Sequence, residues 1–490
     1  MRLRRNRLLA IVAMTASVLL AAGAASAQKV LSRGGSQSIN AVRGGGDGYH
    51  GGGYSGGNRN GWGGGYFSGG LTGIAPGVVQ TFEGGDIDDD GSGPRRSRQA
   101  RRNSNAPAAN ERRLVPDEVV VELANSVSPQ RIEALLRRYR LTPIESQTFQ
   151  LSGTTWYRWR IPDRRSVTSV VHALEAERIV AQPNYVFALQ ADAPKTEGDA
   201  AQYELAKLHL PQAHMLTKGD GVLVAVIDSG IDAAHPELTG AVAQSYDALS
   251  SPMTPHKHGT AIAGIIVAHG KLMGSAPAAR ILAVRAFDGS GASAQGTTFN
   301  ILKALDWAAA HGAQVVNMSF AGPPDPALHR SIVAAHKKGI VLVAAAGNAG
   351  AQSPPLYPAA DPDVIAVTAT DADDKLFAQS NRGRHIAVAA PGAQILVAIP
   401  DGGYEVSSGT SYSAAEVSGI VALMLERRHD LSPDKVRDIL LATAKDLGPK
   451  GRDVMFGAGL ADAYAALLAE TAPLTAATPR PVERVSTGAR

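Results

Sequence analysis

The 490-residue chain contains no cysteine. This absence excludes disulfide bonds, thiolate catalysis and zinc sites that need cysteine ligands. The chain also lacks a large excess of charge of either sign, since the formal net charge is only +4. Basic residues cluster in two short runs, at 2–7 and 95–102, which we interpret as part of an export signal and as a solvated linker. No nucleic-acid partner is therefore expected.

Long hydrophobic runs are missing except at the N-terminus. There the charged segment MRLRRNR precedes the apolar segment LLAIVAMTASVLLAAGA, and Ala25-Ser26-Ala27 fits the small-x-small cleavage rule. We predict a signal peptide at 1–27 and an exported protein, periplasmic or extracellular, that meets the membrane only through this segment. An uncleaved anchor remains the alternative because the run is near the lower length for a spanning helix. Arg4-Arg5 leaves Sec and twin-arginine export both open.

Composition divides the rest of the chain into four parts. Residues 28–112 are rich in Gly and Arg and predict a disordered linker, and 470–490 predict a disordered tail. Residues 113–190 have the order β-α-β-β-α-β, which predicts a small α+β, ferredoxin-like domain. In 200–469 short apolar strands alternate with helices, which predicts an α/β fold with a doubly wound parallel sheet.

Four polar side chains stand where parallel strands end or helices begin. Asp228 ends the strand GVLVAVID, and Asn348 follows the strand GIVLVAAAG. His258 and Ser411 begin two apolar helices. Because the working groups of such sheets lie beyond the carboxyl ends of the strands, we expect these side chains to converge.

This set of groups is sufficient for acyl transfer. Ser411 would attack a carbonyl carbon, His258 would accept its proton, and Asp228 would orient the imidazole. The amide of Asn348 and the backbone N–H of Ser411 would stabilise the oxyanion. Two simpler interpretations stay open: Ser411 as a helix cap, and Asn348 as a turn residue. His256 forms His-x-His with His258 but lacks a third ligand, so we interpret it as a surface histidine.

Four motifs in this chain order carry a family resemblance: VAVIDSGIDAAHPEL, HGTAIAGI, AAAGN and GTSYSAAEVSGIVALM. Over 202–468 the chain resembles the subtilisin-like serine proteases, the subtilases of peptidase family S8. The resemblance implies a serine endopeptidase that acts on proteins or peptides. It also implies that 113–190 is a propeptide that inhibits its own catalytic domain. The segment QPNYVFALQ would then fill the non-primed subsites, and self-cleavage would fall at about 190–201.

The resemblance also implies further site residues. Two segments are expected to clamp an extended peptide: Gly289, Ser290 and Gly291, and Ser319, Phe320 and Ala321. The second segment, together with Ala346 and Gly347, is expected beside the pocket for the side chain that precedes the cleaved bond. An uncharged pocket favours apolar residues before the cleaved bond. The bond before Pro358 is expected to be cis.

Departures from the family pattern lead to two more expectations. Ala415 and Glu416 stand where the family often has Pro and His, so Glu416 should face a partner or solvent. The loop 269–275 has no Asp, Glu or Asn, so we expect no calcium there. No metal or cofactor is expected, although calcium elsewhere stays open. Two other functions also stay open: an inactive homologue that binds peptides, and a surface-adhesion protein that acts through its Gly-rich region.

Overall fold

The computed structural model describes residues 104–108, 111–189, 202–249, 252, 254–289 and 294–469. The chain divides into two compact units, Met1–Asp90 and Gly91–Arg490, and every described residue belongs to the second. The predicted signal peptide, most of the predicted linker, the 190–201 segment and the tail therefore lie outside the described residues. Within the described part, no helix is both long and apolar enough to cross a bilayer.

The N-terminal part of this unit has the predicted order β-α-β-β-α-β. Its elements are β1 (Leu114–Ala124), α1 (Pro129–Tyr139), β2 (Thr142–Phe149), β3 (Thr154–Arg160), α2 (Val167–Glu175) and β4 (Val180–Leu189). Ser128 caps α1 by accepting a hydrogen bond from Arg131 N. Side chains from β1, β3 and both helices form one small core, in which Val119, Trp159 and Leu174 are fully buried. We call this part the small domain.

The larger part, residues 202–469, is built on a seven-stranded parallel sheet. Its helices are α3 (Tyr203–Lys207), α4 (Leu210–Ala213), α5 (Lys257–Val267), α6 (Thr298–Ala310), α7 (Pro326–Lys337), α8 (Thr410–Arg427), α9 (Pro433–Thr443) and α10 (Ala463–Ala469). Its strands are β5 (Leu223–Asp228), β6 (Val242–Asp247), β7 (Arg280–Arg285), β8 (Gln295–Thr297), β9 (Val315–Met318), β10 (Phe320–Ala321), β11 (Val341–Ala345), β12 (Ile365–Thr370), β13 (Ile386–Pro391), β14 (Ile395–Ile399) and β15 (Gly403–Ser407). The sheet order is β13-β12-β11-β9-β5-β7-β6.

Both faces of this sheet are covered, which explains the apolar strands. Along β5, Val224 and Val226 enter one core together with α5 and α8. Ala225 and Ile227 enter the other core together with α6. Successive residues of a strand point to opposite faces, so a doubly covered strand needs apolar residues throughout. The predicted doubly wound α/β fold is confirmed.

The sequence did not predict all the strands. β6 is an edge strand with the polar sequence VAQSYD, which lacks the apolar run used to recognise the inner strands. β8 and β10 are only three and two residues long, and they pair with β4 of the small domain instead of the parallel sheet. Their strand conformation depends on this distant partner, which local sequence does not encode.

The small domain packs its sheet against α6 and α7. Val120, Phe149 and Trp156 form an apolar cluster with Phe299, Leu302 and Ala327. Ion pairs lie beside this cluster: Lys303 Nζ is 2.8 Å from Glu145 Oε1, and Arg330 Nη2 is 3.1 Å from Glu122 Oε2. Asn184 Oδ1 accepts a hydrogen bond from Phe299 N at the start of α6. The contact thus combines apolar burial with capping of a helix end.

Candidate active site

Asp228 and His258 form the buried pair that the sequence predicts. Asp228 is the last residue of β5, and His258 is the second residue of α5. His258 Nδ1 lies 2.9 Å from both carboxylate oxygens of Asp228. Gly259 makes this approach possible, because a Cβ there would collide with the Gly230 carbonyl. The contact fixes the imidazole with Nδ1 towards the acid and Nε2 facing away from it.

Ser411 is the second residue of α8 and is fully buried. Its hydroxyl donates to the Ser319 carbonyl at 3.1 Å, and the Ser319 hydroxyl donates back to the Ser411 carbonyl at 3.1 Å. His258 Nε2 is buried and has no hydrogen-bond partner among the described residues. The nucleophile-to-base hydrogen bond is therefore not formed in this state. Catalytic hydrogen bonds of this kind often form fully only in the complex with a reacting substrate.

Asn348 lies at the same edge, three residues beyond the end of β11. Its Oδ1 accepts hydrogen bonds from Thr410 N at 3.1 Å and from Thr410 Oγ1 at 2.8 Å. Because the oxygen end of the amide is held by α8, its NH₂ end points away from Thr410. The sequence did not single out Thr410, although its place directly before Ser411 in Gly-Thr-Ser was a usable signal.

The end of β4 runs into the cleft as an added antiparallel strand. Leu189 pairs with Phe320, and Ala188 pairs with Ala321. On its other side β4 pairs with β8, with Ala188 opposite Gln295 and Val186 opposite Thr297. Two segments of the larger part thus clamp one extended chain, which is the geometry of peptide recognition by strand addition.

One of the two clamp segments in the structure is β8. Gln295–Thr297 pairs with β4, whereas the sequence pointed to Gly289, Ser290 and Gly291. Gly289 lies against the His256 ring, so a Cβ there would collide with that ring. Ser290 and Gly291 lie outside the described residues. A role of Gly289, Ser290 and Gly291 in binding substrate therefore stays a prediction.

Phe187 of β4 occupies an aromatic pocket. Its ring makes an edge contact with Phe320 at 6.0 Å between centroids, and Phe320 stacks obliquely on Phe287 at 4.9 Å. Gly322 completes the pocket, because a Cβ there would collide with the Phe187 ring. Phe320 was predicted to line the pocket for the residue before the cleaved bond. In the structure its side chain lies against Phe187, two residues before Leu189, and its place in the pocket for the residue before the cleaved bond stays a prediction.

The remaining predicted substrate residues lie beyond β11. Ala346 is buried, and its carbonyl accepts a hydrogen bond from Asn381 Nδ2 at 3.0 Å. Gly347 has φ +108°, which favours glycine, and a Cβ there would collide with the same amide group. The Tyr357-Pro358 bond is cis, as predicted.

The loop 269–275 is organised by a carboxylate. Glu237 accepts backbone hydrogen bonds from Gly270, Lys271 and Leu272 at 2.8, 2.7 and 3.1 Å. These N–H groups point at an anion, an arrangement suited to a carboxylate and not to a cation. In the described ranges, no group of three or more His, Asp or Glu side chains is arranged to hold a metal ion.

Comparison with known proteins identifies the family of the chain. Residues 219–459 match the model of the subtilase family, Peptidase_S8. The chain is 34% identical over 355 residues to the thermophilic serine proteinase of Bacillus sp. (strain AK1), covering 70% of this chain and 86% of that protein. It is 35% identical over 274 residues to thermitase of Thermoactinomyces vulgaris, covering 54% of this chain and 95% of that protein.

A solved structure supports the fold. Fervidolysin from Fervidobacterium pennivorans, a keratinolytic enzyme related to subtilisin, matches with a TM-score of 0.63 and 24% identity. The match covers 74% of this chain and 63% of fervidolysin. The chain belongs to the subtilase family of serine proteases. It is a serine-type endopeptidase, and its substrates are proteins or peptides.

Glu416 faces a partner, which is one of the two arrangements expected from the sequence. It is fully buried, not facing solvent, and the Ser275 hydroxyl donates to its carboxyl group. Burial first and then the nearby Glu204 raise the pKa of Glu416 well above its ordinary value. Burial raises the pKa of Glu204 to about 7. A partner is present, as the sequence required, but the group is stabilised in its neutral form.

This buried pair predicts a pH-dependent stability. Because the pKa values of Glu204 and Glu416 are raised in the folded state, the folded protein binds more protons than the unfolded chain. The contribution of these two groups to the free energy of unfolding is therefore greatest below about pH 4.5, and it falls as the pH rises towards 7 and beyond. Glu416→Gln should therefore raise the melting temperature by a few degrees at pH 8 and by little at pH 5. Thermal unfolding in a Ser411→Ala background avoids self-digestion. Glu133→Gln, on an exposed helix face, is the control, and an equal effect at both pH values would contradict the prediction.

Proposed function

We propose that Asp228, His258 and Ser411 form the catalytic triad of this endopeptidase. Their convergence at one sheet edge supports this proposal, with the 2.9 Å contact between Asp228 and His258 as its main observation. Rotation of the Ser411 hydroxyl from the Ser319 carbonyl towards His258 Nε2 would complete the proton path. His258 would then take the proton during attack and return it to the leaving amine.

We further propose that Asn348 stabilises the oxyanion, because its amide is oriented by Thr410 at the start of α8. The second donor would be the Ser411 backbone N–H, at a helix start where negative charge is favoured. Asn348→Ala should lower kcat about a hundred- to a thousandfold and leave KM nearly unchanged. Steady-state kinetics on a peptide substrate measures both constants. A kcat within about twofold of wild type would remove Asn348 from this role.

Thr410→Ser is the matched control for the Asn348 variant. It keeps the hydroxyl that holds the Asn348 oxygen, so kcat should stay close to wild type. Thr410→Val removes that hydroxyl and should lower kcat part of the way towards Asn348→Ala, because the amide would then lose its fixed orientation.

The proposed precursor state depends on β4. The small domain would act as a propeptide, because β4 occupies both clamp segments and excludes other peptides. The described pairing ends at Leu189 opposite Phe320, next in sequence to Ser319, whose carbonyl holds the Ser411 hydroxyl. We therefore place the self-cleavage site just beyond the paired strand, at Gln190-Ala191 or an adjacent bond. Mass spectrometry of the mature N-terminus checks this position.

Phe187 should contribute strongly to inhibition by the small domain. Phe187→Ala removes a fully buried ring, which costs about 3 kcal/mol and corresponds to about a hundredfold in affinity. After the precursor has processed, serial dilution should release activity at about a hundredfold higher protein concentration than in wild type. Val180→Ala, at a partly exposed position on the same strand, is the control. Equal release curves for Phe187→Ala and wild type would contradict the inhibitory role.

The protein is proposed to be exported, because of the signal-like N-terminus and its kinship to secreted enzymes. A cofactor-free mechanism is also proposed, since every step uses protein groups.

The test of the proposed catalytic activity is a fluorophosphonate probe, which labels an activated serine covalently. We expect the label on the peptide that contains Ser411 in folded, processed protein, and none after denaturation. Absence of label in folded, processed protein would favour an inactive peptide-binding homologue.

A further inference from the structure

His256 is not the surface residue that its sequence context suggested. Its side chain is half-buried, and its Nδ1 caps α5 by accepting a hydrogen bond from His258 N at 3.3 Å. Its ring also lies against Gly289. The residue is therefore part of the wall between the Asp228–His258 pair and the adjoining substrate loop.

Ser229 connects this ring to the catalytic acid. Its hydroxyl oxygen is 2.7 Å from His256 Nδ1 and 2.9 Å from Asp228 Oδ1. Asp228 Oδ1 also accepts the Ser229 backbone N–H at 2.7 Å. The hydroxyl has one hydrogen and two possible acceptors, so it donates to only one of them at a time.

The protonation state of His256 decides which acceptor receives this hydrogen. When Nδ1 is unprotonated it accepts, and the Ser229 hydroxyl can turn away from Asp228. When the ring is an imidazolium, Nδ1–H donates to the Ser229 oxygen, directs the hydroxyl hydrogen to Asp228 and no longer accepts from His258 N. Asp228 then gains a donor, and a positive charge stands near His258. Both effects weaken the hold of His258 on its proton.

We propose that His256 is a positioning residue: through the Ser229 hydroxyl it sets the hydrogen bonding of Asp228, and through its charge it sets the pH at which His258 becomes a base. This inference rests on the proposed triad. Among the described residues, Lys257 is next to His256 in the chain, and Arg285 lies against Gly230, whose carbonyl accepts from His256 N. Arg285 also donates to Pro252 O at 3.1 Å and pairs with Asp247 at 3.0 Å and with Asp288 at 3.8 Å.

The experiment compares His256→Asn with His256→Leu in the processed enzyme that is obtained from the full-length precursor. Asn keeps a polar atom near the position of Nδ1 and is a favourable helix cap, but it does not titrate. We expect His256→Leu to lower kcat about tenfold with KM within about twofold, and His256→Asn to restore most of kcat at pH 9. Because the positive charge is lost, the acidic limb of kcat/KM should move up by about half a pH unit in His256→Asn.

Ser229→Ala tests the connection itself. With the bridge removed, His256→Leu should lower kcat by less than about threefold, so the two substitutions should be non-additive. His269→Leu is the matched control, because its ring nitrogens contact only the Val267 and Thr239 carbonyls. Thermal unfolding separates folding defects from changes in turnover.

The outcomes distinguish this inference from the triad proposal. Unchanged acidic limbs, additive effects of the two substitutions, or a rise in KM alone would overturn the role of His256. In those cases a Ser411→Ala variant would still be inactive. Retained activity in Ser411→Ala would instead overturn the triad on which the inference rests.

Discussion

Ser411→Ala should abolish peptide hydrolysis, with a loss in kcat of about a millionfold, the order measured when the nucleophile of subtilisin is removed. The alanine lacks the hydroxyl that attacks the carbonyl carbon. The backbone N–H of residue 411 and the Asn348 amide remain, so a small residual rate above water is expected. Discontinuous assays with long incubation are needed to measure it.

The same variant should also remain a full-length precursor. If cleavage beyond Leu189 is intramolecular, mass spectrometry will find no new N-terminus near 190–201 in Ser411→Ala, whereas wild type is processed. Ser413→Ala is the matched control, because Ser413 lies on the same helix but donates to the Ala390 and Pro391 carbonyls. Processing of Ser411→Ala in a purified preparation would contradict self-cleavage.

Asp228→Asn should lower kcat about ten thousandfold and change KM little. The amide is nearly isosteric with the carboxylate, but it can donate a hydrogen bond to His258 Nδ1. That contact favours the ring tautomer with the proton on Nε2, which cannot accept the proton of Ser411. The carboxylate is fully buried and held by Ser229 and His258, so the geometry should be retained.

The pH profile provides a second measurement on this variant. Because the ring tautomer with the proton on Nε2 cannot accept the Ser411 proton, hydroxide has to take it, so the residual activity of Asp228→Asn should rise with hydroxide concentration at high pH. Asp232→Asn is the control, because Asp232 accepts from Ala234 N and Asp401 N near the site but does not contact His258 in the described hydrogen bonds. A loss in kcat below about a hundredfold would show that Asp228 does not orient the base.

The parts of the fold that sequence predicted are those with strong local signals. β5 and β11 are apolar throughout because helices cover both faces, and this leaves a clear pattern. Asp228 could be identified because it ends such a strand, and Asn348 because it lies shortly after one. Ser411 and His258 could be identified because they begin apolar helices. These positions depend on chain topology, which the alternation of strands and helices already specifies.

The parts that sequence missed depend on contacts between distant segments. Gln295–Thr297 becomes a strand only because β4 lies beside it, and Phe320 faces Phe187 because the small domain places that ring there. The Ser229 bridge to His256 joins residues 27 positions apart through one hydroxyl group. Glu416 is tolerated in the core because Ser275, 141 positions away, supplies a donor. Such pairings carry no periodic signature.

The contact between the small domain and α6 and α7 has a consequence for timing. Cutting one peptide bond beyond β4 would leave the apolar cluster around Trp156 and the two ion pairs beside it intact. In the proposed scheme, cleavage alone would therefore yield an inhibited complex. The onset of proteolysis would depend on how fast the small domain dissociates from the larger part. Dilution, salt or digestion of the cleaved small domain would then set the time of activation. Between cleavage and dissociation the enzyme would be processed but still inhibited.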